Sequence, residues 1–318
     1  MKSKIPGIED IKDASSSGVR MQSKPTMSSS KLLGLFSLLA GCTNALVPDP
    51  EIASLWPLDS FKSSPLRPPH MNVTKSGKTE LGYLFPSPQD NPRHSSWPMI
   101  YSDDGQLVWQ GQNSSWISAY QPQMLNGEQV LAYWDGTFGD GFGWGAISIL
   151  NGSYEELYKV TLSGKERNLY CPLGPQESYV DIHESHITDQ GTMCVVAVNF
   201  TQTDITEVGG PKDGWIIDGL IYEVDIKTND ILFQWSVLNH RDEIPITDAE
   251  VPLDGKGMNA SNPWAYAHLN SVAKYGDNYL VSSRYMCSIF FIDGKDGHVI
   301  WQLDVSIAPS HYNHILTH

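Results

Sequence analysis

The chain has 318 residues, of which 40% are hydrophobic and 18% are charged, so it holds enough apolar material to bury a core in one or two domains. It carries 36 Asp and Glu against 21 Lys and Arg, a formal net charge of −15. This balance argues against nucleic acid or an anionic membrane surface as the main partner, because both repel an acidic protein.

The amino-terminal region predicts a secretory signal peptide. Residues 1–26 are polar and contain no aromatic residue, and we expect them to be a non-structured extension that precedes the true start codon. Residues 27–45 place a lysine before a short apolar run and end in small residues, which is typical of a signal peptide cleaved after Ala45. The apolar run is too short to span a bilayer. The residues that end at Cys42 also match a bacterial lipoprotein box, which would make that cysteine a lipid-anchored amino terminus.

Five N-x-[ST] sequons favour the eukaryotic secretory route, and they begin at Asn72, Asn113, Asn151, Asn199 and Asn259. We therefore expect a secreted, N-glycosylated protein. An oxidising compartment also permits one internal disulfide and leaves one thiol over, with the pairing open, among the three cysteines after the signal: Cys171, Cys194 and Cys287.

An internal repeat is visible along the rest of the chain. The pattern Asp-x4-Trp occurs three times, at 104–109, 230–235 and 296–301. The last two tryptophans are 66 residues apart and the first two are 126 apart, close to twice that interval. A degenerate copy should therefore lie between the first two, and residues 146–160 fit it best.

Each repeat divides into four short β-rich segments separated by turn-forming residues. A partial unit ends at Trp109, and the strands of the later units are predicted at 116–122, 128–134, 144–150 and 154–160, then at 181–188, 192–200, 215–225 and 231–236, then at 266–273, 279–285, 287–293 and 298–303. Repeated four-stranded units predict an all-β fold, a β-propeller over residues 46–303 followed by an irregular tail at 304–318. We expect the three repeat tryptophans to be core residues of the blades.

A propeller must bring its last blade against its first in order to hide the sheet edges. Four units are recognisable here, and residues 304–318 show no further pattern of strands and turns. The chain is therefore either a compact four-bladed ring or a gene model that lacks blades at its carboxyl end. We favour the second interpretation.

The candidate chemistry lies on the first strands of the last two blades, which line the channel of a propeller. Period-two alternation predicts that His268 and Asn270 share a face, with Arg284 beside them on the next strand and His183 at the equivalent first-strand position of the preceding blade. A neutral imidazole is a nucleophile or base near pH 7, and Arg and Asn suit a tetrahedral oxyanion. Such a set fits transfer of that group through a histidine intermediate. The alternative is that the strand histidines are structural residues.

Other features favour neither a metal nor a cofactor. The spacing of His183 and His186 places them on opposite faces of a strand, which argues against joint metal ligation. The Gly-rich stretch 135–145 lacks the Lys-Ser/Thr and the following helix of a phosphate loop, and we expect it to be a loop that connects blades. Glu184 could orient the neighbouring imidazole, but neighbours on a strand diverge, so we expect a surface carboxylate.

The segments "DIHESHIT", "NPWAYAHLNSV" and "NYLVSSRYMCSIFFIDGKDGHVIWQL", with "YWDGTFGDGFGWGAISILNGSYEEL" before them, resemble the arylsulfotransferase family in its fungal secreted branch. The resemblance covers roughly residues 50 to 303. It implies a six-bladed propeller, here truncated to about four blades. It also implies transfer of a sulfuryl group from a phenolic sulfate ester to another phenol, without a nucleotide donor and through a sulfohistidine.

Residue by residue, His268 and Asn270 match the family's His-x-Asn-Ser channel motif and Arg284 matches the arginine of its Ser-Ser-Arg motif. His183 corresponds to the first channel histidine. The resemblance assigns the nucleophilic histidine to a later blade, for which no segment of this chain is a match. Two histidines of the tail, His311 and His314, lie outside any recognisable blade.

Three functions remain open at this point. The first is a secreted arylsulfotransferase-like protein that takes a small aryl sulfate and a phenol as substrates, and that is inactive if truncation has removed the nucleophile. The second is a non-catalytic secreted propeller that binds a ligand. The third is a quinoprotein-like or outer-membrane-assembly-type repeat scaffold, which would need none of His268, Asn270 and Arg284.

Overall fold

The computed structural model describes residues 56–90, 95–163 and 169–304. The predicted extension, the signal peptide with Cys42, and residues 305–318 of the tail with His311 and His314 lie outside these residues, whereas Asp304 belongs to the last strand. Within the described ranges, no helix is both long enough and apolar enough to cross a membrane.

Seventeen strands and three short 3-10 helices make up the regular structure of the described residues. The 3-10 helices are Thr206–Val208, Leu238–His240 and Ile246–Asp248. The strands are β1 (Tyr83–Leu84), β2 (Gln89–Asp90), β3 (Ser95–Ser96), β4 (Met99–Ser102), β5 (Leu107–Gln110), β6 (Ile117–Leu125), β7 (Glu128–Gly139), β8 (Phe142–Leu150), β9 (Glu156–Val160), β10 (His186–Ile187), β11 (Thr192–Thr203), β12 (Gly214–Asp225), β13 (Ile231–Ser236), β14 (Leu269–Tyr275), β15 (Asn278–Ser283), β16 (Ser288–Ile292) and β17 (Val299–Asp304).

The predicted four-stranded units are confirmed. Strands β6 to β9, β10 to β13 and β14 to β17 form three four-stranded sheets whose spatial order follows the chain order. Each neighbouring pair within them is antiparallel. The partial unit before them is a three-stranded sheet of order β1-β4-β5. The all-β class follows from alternating apolar residues punctuated by turn residues.

The middle sheet of the three is covered on both faces. Successive residues of β11 belong to two different hydrophobic clusters: Val195 packs with Trp134 and Ile147 from the preceding sheet, and Val196 packs with Val281 and Phe290 from the following sheet. Side chains alternate across a strand, so one run of apolar residues supplies both clusters. The three sheets therefore pack face to face in chain order.

The first strands of the last two sheets begin later than predicted. Strand β10 covers only His186–Ile187, so His183 precedes it, and β14 begins at Leu269, so His268 precedes it. His268 has a φ of 52°, and the register of β14 against β15 shifts between Leu269 and Ser271. The alternation that we predicted for His268 and Asn270 is therefore wrong, because a left-handed residue and a bulge interrupt the pleat at this point.

The Gly-rich stretch 135–145 is not a loop between blades, as we expected, but the outer part of the β7–β8 hairpin. Glycine is needed where the two strands of the hairpin approach each other. A Cβ on Gly145 would lie 2.2 Å from the carbonyl oxygen of Asp135, and a Cβ on Gly143 would lie 2.6 Å from the indole of Trp134. The glycines therefore admit close backbone and ring contacts rather than flexibility.

The three repeat tryptophans differ in burial. Trp235 is 3% exposed, as a core residue should be, and its Nε1 donates to the carbonyl of Gly297 at 2.9 Å. Trp109 is half-buried and stacks on Tyr154. Trp301 is 40% exposed, so its prediction as a core residue is wrong, because β17 is the edge strand of its sheet.

The cysteines form no disulfide within the part of the chain that the structure describes. Cys171 and Cys194 are buried and Cys287 is half-buried, and all three are free thiols. Burial raises the pKa of the Cys194 thiol to about 12, so this side chain is an inert core residue.

Candidate functional site

A cavity of about 620 Å³ opens where β6, the tip of the β7–β8 hairpin and the segments that precede β10 and β14 meet. Three of the four predicted site residues line it: His183, His268 and Arg284. The other lining residues are Trp116, Ser118, Ala119, Tyr120, Gln121, Phe138, Gly141, Ile182 and Glu184. Residues far apart in sequence therefore contribute to one concave site.

His183 is held by a buried carboxylate. Its Nδ1 is hydrogen-bonded to Oδ2 of Asp181, a residue with 0% exposure. The other oxygen, Oδ1, accepts the backbone N–H of Gly143 at 2.7 Å. The hairpin thus holds the carboxylate of Asp181, and the carboxylate holds the imidazole of His183.

The same hairpin fixes the backbone just before Asp181. The carbonyl of Val180 accepts two hydrogen bonds, from Nε1 of Trp134 at 2.9 Å and from the backbone N–H of Gly145 at 3.0 Å. Gly143 must lack a side chain because a Cβ there would lie 2.7 Å from Cβ of Ile182. The glycines of this stretch therefore allow the hairpin to approach the carboxylate segment.

His268 lies deeper and contacts His183 directly. Its side chain is 4% exposed, and the two Nε2 atoms are 3.3 Å apart. The ring packs against Phe142 at a centroid distance of 4.5 Å and against Tyr285 at 4.7 Å. Nδ1 of His268 is buried and makes no hydrogen bond within the described residues.

The charge state of His268 follows from this environment. Burial lowers its pKa to about 3, and the neighbouring side chains of His183 and Arg284 act in the same direction. Taking an imidazolium out of water is unfavourable, and the guanidinium of Arg284 adds to the cost. His268 is therefore neutral at pH 7.

Arg284 supplies a positive charge at the cavity. It lies in the turn after β15 rather than on the strand as predicted, and its backbone N–H donates to the carbonyl of His268 at 2.9 Å. Its side chain is exposed, and the guanidinium carbon lies 5.6 Å from the ring centroid of Tyr285. The hydrogen bond thus fixes the backbones of the arginine and the histidine next to each other.

Asn270 is not among the residues that line the cavity. It is half-buried at the bulge of β14, and its carbonyl accepts the backbone N–H of Glu184 at 3.2 Å. Its backbone therefore joins the β14 segment to the His183 segment.

Aromatic side chains form another part of the lining. Trp116 and Phe138 stack with ring centroids 4.5 Å apart, and Tyr120 also lines the cavity. The cavity thus combines imidazole and guanidinium groups with flat apolar rings. Such a combination suits a ligand that has both an anionic group and an aromatic ring.

Sequence reasoning missed the residues that position the histidines. Asp181, Gly141, Phe142 and Gly143 were not among the predicted site residues, and the exposed Glu184 was the only carboxylate considered for orienting His183. The spacing Asp-x-His at 181–183 was the available signal, since two residues on a bend bring both side chains together. The hairpin contacts left no local signal because they join residues 38 apart.

One cluster outside the cavity has the composition of a metal site. Asp293, Asp296 and His298 of the β16–β17 turn bring their ligand atoms within 4.8 Å of one another. These side chains already serve the turn, in which Asp293 accepts the backbone N–H of Lys295 at 2.7 Å and Asp296 pairs with His298 at 2.6 Å. The cluster therefore has an explanation in the turn alone.

The fold and the cavity define an all-β protein of four-stranded antiparallel sheets with a histidine-arginine site. Residues 121–306, more than half of the chain, match the model of the arylsulfotransferase (ASST) family. The chain belongs to this family. The matched region includes all three predicted residues that line the cavity.

No curated protein matches the chain. Among the solved structures it is similar to a protein of unknown function from Bacteroides caccae, with 13% identity and a TM-score of 0.35. The similarity covers 72% of this chain and 59% of the other.

Proposed function

We propose that the chain is a secreted arylsulfotransferase-like protein of the fungal branch. It binds an aryl sulfate in the cavity and transfers the sulfuryl group to a phenol without a nucleotide donor. The observation that carries the proposal is the convergence of His183, His268 and Arg284 on a cavity that also has aromatic walls. Membership of the arylsulfotransferase family supports the reaction class.

The charges of the cavity suit a sulfate monoester. Arg284 is permanently cationic and presents a planar set of donors to tetrahedral oxygens. Neutral His268 adds no second charge at pH 7, so one cation faces one anion. The rings of Trp116 and Phe138 offer apolar faces for the aryl group.

Transfer through a histidine intermediate takes two steps. An imidazole nitrogen attacks sulfur, so that an N–S bond forms and the bond from sulfur to the aryl oxygen breaks, with its electron pair leaving on the phenolate. The acceptor phenol then attacks the same sulfur, the N–S bond breaks, and the phenolic proton passes to a base. Arg284 stabilises the sulfuryl oxygens in both steps. The family resemblance assigns the nucleophile to a segment without a match here, so the attacking histidine is identified by experiment.

The alternative is a non-catalytic secreted module that binds the same ligands. It is favoured by the burial of His268, whose Nδ1 is enclosed and whose Nε2 contacts His183. A side chain placed in this way can shape a binding cavity without taking part in chemistry.

The propeller and the secretion are parts of the same proposal. Three four-stranded sheets that pack face to face are the arrangement of neighbouring blades. Two of the sequon asparagines, Asn72 and Asn259, are exposed, and an exposed acceptor is what glycosylation requires. Expression in a secreting eukaryotic host tests this point: the expected result is a protein in the medium whose mass falls on glycosidase treatment, and retention of unmodified protein in the cells contradicts it.

A sulfuryl-transfer assay tests the function. Release of nitrophenol from 4-nitrophenyl sulfate is measured with and without a phenol, together with binding of the donor by calorimetry. For Arg284→Met we expect binding of the donor to weaken about 10- to 100-fold, because a charged hydrogen-bond donor is lost. Arg67→Met is the matched control, since Arg67 is exposed and does not line the cavity.

The outcomes separate the two candidates. Turnover by the wild type that depends on Arg284 supports the enzyme, and mass spectrometry of peptides from samples quenched and digested at alkaline pH, where the N–S bond survives, then identifies the sulfated histidine. Binding without turnover, again dependent on Arg284, supports the module. Neither binding nor turnover refutes both.

A further inference from the structure

We infer that Asp181 is a positioning residue that fixes the proton distribution of the His183–His268 pair, so that His183 presents a basic Nε2 to the phenol that accepts the sulfuryl group. The inference rests on the transfer reaction proposed above. Its structural part, the proton distribution, is a property of the free protein.

The hydrogen bonds of Asp181 determine where the proton of His183 lies. The carboxylate accepts the backbone N–H of Gly143 at 2.7 Å, the backbone N–H of His183 at 3.3 Å and a bond from Nδ1 of the same histidine. An ionised carboxylate is only an acceptor. Nδ1 of His183 must therefore carry a proton, and in the neutral ring Nε2 is left with a lone pair.

The state of His183 then determines the state of His268. Their Nε2 atoms are 3.3 Å apart, and a hydrogen bond between them needs a proton on one nitrogen only. Since Nε2 of His183 holds the lone pair, Nε2 of His268 is the donor. Neutral His268 then has its lone pair on Nδ1, the buried atom that lacks a partner within the described residues. With the opposite assignment, Nδ1 of His268 would be a buried N–H donor without an acceptor. This costs more free energy than a buried lone pair without a donor.

This distribution gives His183 a role as a base. Its side chain is 19% exposed and lines the cavity. When the acceptor phenol attacks sulfur, its O–H bond breaks and the proton goes to Nε2 of His183. The electron pair left on oxygen forms the new O–S bond, and the N–S bond of the sulfohistidine breaks with its electron pair returning to nitrogen. Nε2–H of His268 loses its acceptor on His183 at that moment and becomes available to a sulfuryl oxygen. The carboxylate of Asp181 stabilises the imidazolium that results.

Other ionisable groups also face the pair and shape its pH dependence. They come from β6, the segment before β10 and the turn after β15, and they are Tyr120, Glu184 and Arg284 in the cavity lining and Tyr285 against His268. None of them contacts Nδ1 of His183. A substitution of Asp181 therefore changes the hydrogen bond at Nδ1, which substitutions of these other groups leave in place.

The first experiment reads the protons directly. In histidine-labelled wild-type protein at pH 7, long-range proton-nitrogen correlation spectra should show His183 with its proton on Nδ1, with the resonance assigned by its loss in His183→Gln. Asp181→Asn should move the proton to Nε2, because the amide donates where the carboxylate accepted. A wild-type spectrum with the proton on Nε2 of His183 overturns the inference, and this reading needs no activity.

The second experiment reads the reaction. In Asp181→Asn, kcat for transfer to a phenol should fall about 100-fold or more, the typical contribution of a general base, while KM for the donor changes by less than about 3-fold. Asp189→Asn is the matched control, an exposed carboxylate in the turn after β10.

The two readings keep the inference and the proposed function distinguishable. A proton shift in Asp181→Asn with no turnover by the wild type refutes the enzyme and leaves the positioning role intact. Turnover of Asp181→Asn at the wild-type rate, or a rise in KM with no change in kcat, refutes the positioning role alone.

Discussion

Removal of Lys274 should destabilise the packing of the last two sheets, because it would leave a buried carboxylate without its cation. Glu223 of β12 is 3% exposed and accepts two hydrogen bonds from Nζ of Lys274 on β14, at 2.9 and 2.7 Å. It also accepts hydrogen bonds from the hydroxyl groups of Thr192 and Tyr279. This polar cluster therefore connects two sheets across their hydrophobic interface.

The magnitude follows from what Lys274→Met leaves behind. Breaking a buried ion pair by removing one partner costs about 3 to 5 kcal/mol. Two hydroxyl donors remain on Glu223, which places the expected loss at the lower end, about 3 kcal/mol in the free energy of unfolding. The double variant Glu223→Leu with Lys274→Met should recover most of this loss, since apolar replacements of a buried pair are often neutral.

The loss should depend on pH. Burial alone would raise the pKa of Glu223, but the hydrogen bonds from Lys274, Thr192 and Tyr279 and the lysine charge outweigh it and lower the pKa. The stabilisation is therefore present above the ordinary glutamate pKa of about 4.3 and is lost as the pH falls through the lowered value. In Lys274→Met the effect of burial dominates, so Glu223 takes up a proton at higher pH and the loss shrinks in acid.

Urea unfolding followed by tryptophan fluorescence at pH 7 and pH 4 measures both effects. Lys295→Met is the control, because Lys295 is an exposed turn residue. A loss below about 1 kcal/mol at pH 7, or a loss of equal size at both pH values, would contradict the reasoning.

Two further substitutions test other parts of the structure by the same measurement. Gly143→Ala should cost about 1 to 3 kcal/mol through overpacking, since its Cβ would lie 2.6 Å from the Trp134 ring, and Gly152→Ala, which meets no atom within 4 Å, is its control; equal effects of the two would refute the packing argument. For Asp218, burial raises the pKa to about 7 despite hydrogen bonds from Ser236 and Leu238. Its contribution to stability is thus full below the ordinary aspartate pKa and is lost as the pH rises through about 7. Asp218→Asn should match the wild type only at or below the ordinary aspartate pKa of about 3.9, and it should become progressively more stable than the wild type as the pH rises to 9; the reverse order at pH 9 would show that the carboxylate is not desolvated.

The sequence by itself determined the sheets. Strands of the last unit were predicted within a few residues of their observed bounds, because alternating apolar residues and turn residues act locally. The same local pattern predicted that His268 and His183 belong to neighbouring units. The sequence segments around the two histidines carried the resemblance to the family. Whether a strand lies at the edge of a sheet depends on its neighbours in space and not on its own residues. For this reason Trp301 was predicted in the core although it is exposed.

Only the tertiary structure decided how the site is built. His268 and His183 are 85 residues apart in sequence, and Asp181 and Gly143 are 38 apart. The left-handed backbone of His268 and the shifted register of β14 interrupt the alternation of side chains, and Asn270 does not line the cavity. Side-chain direction in such irregular segments depends on which distant groups satisfy the buried polar atoms, and no periodicity in the sequence records that choice.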